Sequence, residues 1–227
     1  MKVVHGLEQR ARRVRRGGFA AMIRAVFSKG RRDLARYPMR SSWRAYRPDT
    51  ATVPAASVAR MLPIGSRRIL GLDPGSLRTG FGVIDCDRGT LRIVAQGCIA
   101  TAGGPLADRL RIIHARVAEL IAQHRPVEVA IERVFLAKNA DSALKLGQAR
   151  GAALAAVPVA LGVHEYAPRA VKLAVVGVGG AEKTQVAHMV KQLLCIDLRL
   201  GADAADALAV AICHAHTRRL ERQVVNA

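Results

Sequence analysis

The sequence predicts an α/β fold built on a mixed sheet with helices on its faces, and three observations support this prediction. Short apolar segments between residues 69 and 166 are bounded by turn residues, a pattern typical of strands. Longer segments carry apolar residues every three or four positions, which indicates helices. Their order is three strands, a helix, a strand, a helix, a strand and further helices. This order favours a mixed sheet over a purely parallel or purely helical fold.

Five segments are the predicted strands. Ile69–Asp73 is a short apolar run, and Gly80–Asp85 and Leu91–Gln96 follow it closely, with the turn sequence "CDRGT" between the last two. Such close spacing predicts an antiparallel meander. Val127–Glu132 ("VEVAIE") predicts a central strand, and Val163–Tyr166 ("VHEY") predicts a further short one.

Four helices are predicted from the apolar period. They cover Leu106–Gln123, Ala140–Val157, Ala181–Leu194 and Ala204–His216, and Pro168 is expected to open one more helix before the flexible loop "GVGG".

The charge of the chain indicates a polyanionic partner, because the formal net charge is +19 over 227 residues. Residues 1–66 hold 15 Lys and Arg against 3 Asp and Glu, and residues 67–227 hold 21 against 14. We therefore predict three parts: a basic N-terminal extension (1–66), a folded domain (67–220) and a C-terminal tail (221–227). No apolar run approaches the length of about 20 residues that a membrane span needs. The four cysteines show no zinc spacing and are expected to be core thiols of a reducing compartment.

Three interpretations of the extension stay open. Its composition is too basic for a core of its own, which is typical of a disordered nucleic-acid-binding arm. An Arg-rich, acid-poor leader is also typical of a transit peptide. Alternatively, the reading frame has been extended upstream, and Met61 would then be the natural start.

Four carboxylates stand at the ends of predicted elements. Asp73 ends the first strand, Glu132 ends the fourth, and Asp203 and Asp206 begin the last helix. Residues three apart share a helix face, and the carboxyl ends of neighbouring strands meet at one crevice, so the four side chains are expected to converge. Close carboxylates repel each other, and divalent cations with hard oxygen ligands, such as Mg²⁺ or Mn²⁺, resolve that conflict.

Each carboxylate also has a simpler explanation. The sequence Asp73-Pro74-Gly75 is good turn chemistry, and Asp203 and Asp206 suit a helix N-terminus. Glu132 would then be a solvated strand end. The predicted convergence of all four favours a metal site over these separate explanations.

Residues 68–217 resemble the RuvC family of Holliday junction resolvases. The resemblance rests on four stretches: "ILGLDPGSLRTGFGVI", "AIERVFLAKNADSALKLGQARG", "VVGVGGAEKTQVAHMV" and "ADAADALAVAICHAH". It implies an RNase H-like fold with a five-stranded sheet and a bacterial, cytoplasmic homodimer that works with the RuvA–RuvB branch-migration complex. It also implies an endonuclease of recombination and repair, which nicks two strands of like polarity at a four-way DNA junction.

The same resemblance assigns residues. It implies two Mg²⁺ per active site, with Mn²⁺ as a substitute, held by four catalytic carboxylates: Asp73, Glu132, Asp203 and Asp206. Phe135 matches an aromatic residue that the family places against junction bases, a role that stacking suits. Lys172 and Lys183 match family lysines near the cleaved DNA. Arg133 stands where the family often has glutamine, so its effect on metal affinity or cleavage preference stays open.

Two rival functions differ from this one in class. A non-catalytic junction-binding protein would be indicated by a missing carboxylate, and all four are acidic here. An actin-like ATPase would use "GLDPGSLRTG" as a phosphate-binding hairpin. That fold needs a second such hairpin, which the sequence does not show, so this rival is disfavoured.

Overall fold

The computed structural model describes residues 66–101, 103–133 and 139–225. Residues 1–65 and Phe135 lie outside these ranges, so the expectations for the extension and for Phe135 stay predictions. The described elements are β1 (Arg67–Asp73), β2 (Arg78–Asp87), β3 (Thr90–Ala100), α1 (Leu106–His124), β4 (Glu128–Glu132), α2 (Ala140–Ala155), β5 (Gly162–Tyr166), α3 (Pro168–Val176), α4 (Lys183–Leu194) and α5 (Ala202–Val225).

The five strands form one mixed sheet in the order β3-β2-β1-β4-β5. The predicted meander is confirmed, because β1 pairs antiparallel with β2 and β2 pairs antiparallel with β3. The turn between β2 and β3 contains Arg88 and Gly89, both with positive φ. On the other side of β1, β4 and then β5 pair in parallel. The carboxyl ends of β1, β4 and β5 therefore lie at one edge of the sheet.

The alternation of side chains along β1 divides the core into two layers. Leu70 and Leu72 point to the face covered by α1 and α2. Ile69 points to the opposite face, which is covered by α3, α4 and α5. Because side chains alternate along a strand, Asp73 lies on the same face as Ile69, and so on the side of α5.

Close contact between α5 and the sheet depends on glycine. A Cβ added to Gly71 would lie 2.8 Å from the Cβ of Ala211, and one added to Gly82 would lie 2.6 Å from a methyl carbon of Leu208. Both distances are shorter than van der Waals contact, so larger residues at these two positions would push the helix away from the strands. The alanine-rich sequence of α5 is therefore matched by glycines beneath it.

The helix ends follow the sequence signals. Pro168 stands at the start of α3, and Glu182 and Gln185 form a capping box at the start of α4. The last helix is longer than predicted: it runs from Ala202 to Val225 and so includes most of the predicted tail. Among its side chains that the structure describes, Ala215 is the last buried apolar one, and the period that guided the prediction ends close to it.

The prediction that all four cysteines lie in the core is wrong. Only Cys213 is buried, whereas Cys86 and Cys98 are half-buried and Cys195 is exposed. Cys195 follows the last turn of α4 with a left-handed backbone, and its side chain is exposed. Within the described part of the chain, no helix combines the length and the apolar character that crossing a membrane requires.

Candidate active site

Asp73 and Glu132 occupy equivalent positions at the ends of neighbouring parallel strands. Leu72 of β1 is in register with Ile131 of β4, so the next residue of each strand is one of the two acids. Their carboxyl groups lie within hydrogen-bonding reach of each other. The register of two strands thus creates a close pair of carboxylates that are far apart in the sequence.

The surroundings of this pair disfavour ionisation. Burial, together with the charges of Asp206 and Asp203, raises the pKa of Asp73 to about 6. Burial and the neighbouring Asp73 raise the pKa of Glu132 to about 7. Each shift means that the charged form lacks compensation, so near neutral pH the pair favours a proton or a cation between its oxygens.

The first turn of α5 brings the other two carboxylates over this pair. Asp73 is in register with Gly80 of β2, and a Cβ added to Gly80 would lie only 2.7 Å from the carbonyl carbon of Asp203. The missing side chain at Gly80 therefore allows the helix N-terminus to approach the strand ends. The structure thus brings together all four predicted carboxylates, from two strands and one helix.

Two cations contact the carboxylates of α5. The Nζ of Lys183, the first residue of α4, lies 2.7 Å from Oδ2 of Asp206, and this hydrogen bond raises the pKa of the lysine. The Nε of Arg78 lies 2.6 Å from Oδ2 of Asp203. Lys183 was predicted near this site, whereas Arg78 was missed. Its only sequence signal is its place between Asp73 and Gly80, just before the predicted start of the second strand.

The remaining predicted residues are less closely tied to the cluster. Lys172 lies half-buried in α3, and among the described residues no hydrogen bond or ion pair joins it to a carboxylate. Arg133 directs its Nε to Oε2 of Glu165, at 3.4 Å, rather than to the adjacent Glu132. The extra positive charge beside Glu132 is therefore partly compensated by a different acid.

A second polar cluster, which no motif in the sequence indicates, surrounds His214. This histidine is fully buried, and its Nε2 lies 3.1 Å from Oε2 of Glu128 while its Nδ1 lies 2.7 Å from the Tyr166 hydroxyl. Burial lowers the pKa of His214, so the neutral ring donates to Glu128 and accepts from Tyr166.

Glu128, His164 and His214 also place one possible metal-ligand atom each within 4.8 Å of one another. This group lies at the start of β4, about 13 Å from Glu132 at its end. Arg67 and Arg218 both bind the Glu128 carboxylate. A divalent cation here would stand beside two guanidinium groups, so we interpret the cluster as a structural network that joins β4, β5 and α5.

We expect His214→Ala to lower the free energy of unfolding by about 3 kcal/mol, since it opens a cavity and removes the hydrogen bonds of the ring to the Tyr166 hydroxyl and to Glu128. Urea denaturation of the variant and the parent measures this difference in the free energy of unfolding. His188, an exposed histidine of α4, provides the control, because His188→Ala should change stability by less than about 0.5 kcal/mol. Equal stability of His214→Ala and the parent would show that the network does not stabilise the fold.

The sheet order, with α5 lying across the face that carries Asp73, defines the chain as an RNase H-like α/β protein. The family described as crossover junction endodeoxyribonuclease RuvC matches residues 69–214. The chain belongs to this family, and its enzymes are hydrolases that cut DNA at crossover junctions.

Individual relatives agree with this assignment. The crossover junction endodeoxyribonuclease RuvC of Shewanella frigidimarina is 58% identical over 150 residues, which are 66% of this chain and 87% of the relative. The structure of T. thermophilus RuvC in complex with a Holliday junction substrate is 35% identical, with a TM-score of 0.64, over 68% of this chain and 96% of that one. The yeast mitochondrial Holliday junction resolvase Ydc2 shares the fold at 11% identity, with a TM-score of 0.55, over 70% of this chain and 84% of that one.

Proposed function

We propose that the chain resolves four-way DNA junctions by paired, symmetric nicks in two strands of like polarity. It would act as a homodimer in the bacterial cytoplasm, during recombination and repair, together with the RuvA–RuvB complex. The observation that carries this proposal is the convergence of Asp73, Glu132, Asp203 and Asp206 at one edge of the sheet. The relative from T. thermophilus, whose structure contains a Holliday junction substrate, supports the choice of substrate.

The same four side chains would hold two Mg²⁺ ions. Carboxylate oxygens are the donors that hard divalent cations prefer, and the raised pKa values of Asp73 and Glu132 show that their negative charges lack compensation. The donor set therefore fits such ions. When bound, a pair of divalent cations supplies activation of water and stabilisation of the leaving oxygen in phosphodiester hydrolysis.

The residues of the chain supply binding and orientation. Asp73 and Glu132 are fixed by their strands, and Asp203 and Asp206 by one helix turn, so the acidic site is held rigidly before the DNA arrives. Lys183, whose side chain is 78% exposed, can reach from Asp206 to a phosphate and stabilise negative charge as a phosphorus–oxygen bond breaks. Residues 67–227 carry more basic than acidic side chains, which favours the DNA backbone around this site.

The direct test is a synthetic four-way junction incubated with the protein and Mg²⁺. We expect two nicks placed symmetrically about the crossover, in strands of like polarity, and no cleavage of a linear duplex of the same sequence. Binding of the junction without nicks, with Mg²⁺ present at pH 8, would favour a non-catalytic junction-binding protein instead.

The raised pKa values predict how stability depends on pH without metal. Below about pH 4 both folded and unfolded chains hold the protons of Asp73 and Glu132, but between about pH 4 and 7 the folded chain retains protons that the unfolded chain has lost. Stability from these groups is therefore present at low pH and is lost as pH rises toward 7.

This loss is measurable as the difference in Tm between the parent and Asp73→Asn in EDTA. Because asparagine removes one of the repelling charges, the Tm of the variant minus the Tm of the parent should increase by at least about 3 °C from pH 5 to pH 7.5. Mg²⁺ should raise the Tm of the parent more at pH 7.5 than at pH 5, since protons compete with it. A difference in Tm that does not change with pH would contradict the assignment of raised pKa values to this pair.

A further inference from the structure

The guanidinium of Arg78 covers one of the four carboxylates. Its Nε donates to Oδ2 of Asp203 at 2.6 Å, and its side chain is 61% exposed while that of Asp203 is 27% exposed. The arginine thus lies at the mouth of the acidic site and is open to solvent on its outer side. In this position it competes for an oxygen that a divalent cation would need.

The turn that precedes Arg78, the first residue of β2, is held in place by two threonine side chains. The hydroxyl of Thr79 donates to the carbonyl oxygen of Gly75 at 2.9 Å. The hydroxyl of Thr101 donates to the carbonyl oxygen of Ser76, also at 2.9 Å. The backbone around Arg78 is therefore fixed relative to the strand that ends in Asp73.

An exposed ion pair is weak in water, because both partners are solvated and the long side chain loses freedom. A divalent cation held by several carboxylates can therefore displace the guanidinium. Once released, the guanidinium stays within a side-chain length of the site, because its backbone is fixed. A planar guanidinium with parallel N–H donors matches the oxygens of a phosphate.

We propose that Arg78 binds a DNA phosphate. Its guanidinium pairs with Asp203 until a divalent metal displaces it, and the released guanidinium then holds a backbone phosphate beside the cleavage site. This inference rests on the proposed function of Asp203 as a metal ligand. It assigns Arg78 a part in substrate positioning that depends on the occupancy of the metal site.

The first test is a titration with Mn²⁺ alone, without DNA, followed by calorimetry. Arg78→Ala should bind Mn²⁺ about two- to fivefold more tightly than the parent, since a competing cation has been removed. Arg111 provides the matched control, because it is also an exposed arginine in an ion pair, with Asp108 on α1. Arg111→Ala should bind Mn²⁺ as the parent does.

The second test compares junction binding in EDTA and in Ca²⁺, with a denaturing gel to confirm that only uncut junctions are counted. In EDTA, Arg78→Ala should bind within about twofold of the parent, because the arginine is engaged with Asp203. In Ca²⁺, the variant should bind about five- to twentyfold more weakly, since one phosphate contact is lost. An equal loss under both conditions, or no loss under either, would overturn the exchange between carboxylate and phosphate.

A third variant separates failure of this inference from failure of the proposed function. If Asp203→Asn binds Mn²⁺ as tightly as the parent, Asp203 is not a metal ligand, and the assignment of the active site is wrong. If Asp203→Asn weakens Mn²⁺ binding but Arg78→Ala leaves it unchanged, the site stands and the competing role of Arg78 is wrong.

Discussion

Asp73→Asn is expected to lose about 10³-fold or more of the junction cleavage rate while binding the junction within about twofold of the parent. The side chain ends β1 on the face covered by α5, next to Glu132, where its charge is directed at the acidic centre rather than at the surrounding surface. Asparagine keeps the shape and removes the charge. The measurements are a single-turnover cleavage assay with Mg²⁺ and a gel-shift titration of the same junction.

Asp108 provides the matched control for this variant. It is an exposed aspartate of α1, paired with Arg111, and it lies outside the acidic cluster. Asp108→Asn should cleave at the parental rate. Cleavage by Asp73→Asn at a similar rate would show that Asp73 serves only the turn that follows it, the simpler explanation considered from the sequence.

Gly80→Ala is expected to lower the cleavage rate by about 10²-fold and the free energy of unfolding by about 2–3 kcal/mol. The added methyl would lie 2.7 Å from the carbonyl carbon of Asp203 and 3.3 Å from the Cβ of Ala207. Both obstacles belong to the first turns of α5, so the helix start must move away from the sheet. That movement displaces Asp203 and Asp206 relative to Asp73.

The control for this substitution is Gly151→Ala. Gly151 lies on the exposed side of α2, and an added Cβ would have no neighbour within 4 Å. Alanine is favoured over glycine in a helix by about 0.5–1 kcal/mol, so this variant should be slightly more stable and fully active. If Gly80→Ala retained parental activity and stability, the close approach of α5 would not be required for the position of Asp203.

The strands and helices could be predicted because their signals are local. The meander from Ile69 to Gln96 follows from three apolar runs and a turn between the last two, and the start of α3 follows from Pro168. The extent of α5 could not be predicted in the same way. Its last two turns carry mainly charged and polar residues, and they continue a helix whose stability comes from the buried residues before them.

Part of the candidate site could be predicted because its signals are also local. Asp73 and Glu132 stand at strand ends, and acids three positions apart at a helix start are visible in the sequence. The ion pair between Arg78 and Asp203 joins residues 125 positions apart, and the contact of Glu128 with His214 spans 86. No periodicity connects such pairs, because they meet only through the register of strands and the packing of a helix.

The sequence by itself determined the elements, the four acidic side chains at their ends and, through its motifs, the family. Only the tertiary structure decided which charges compensate those acids: Lys183 lies against Asp206, and Arg78 lies against Asp203. Among the described residues, no cation is in direct contact with Asp73 or Glu132. The reason is physical. Element formation depends on neighbours in the sequence, whereas the energy of a charge depends on burial and on the groups a few ångströms away in space.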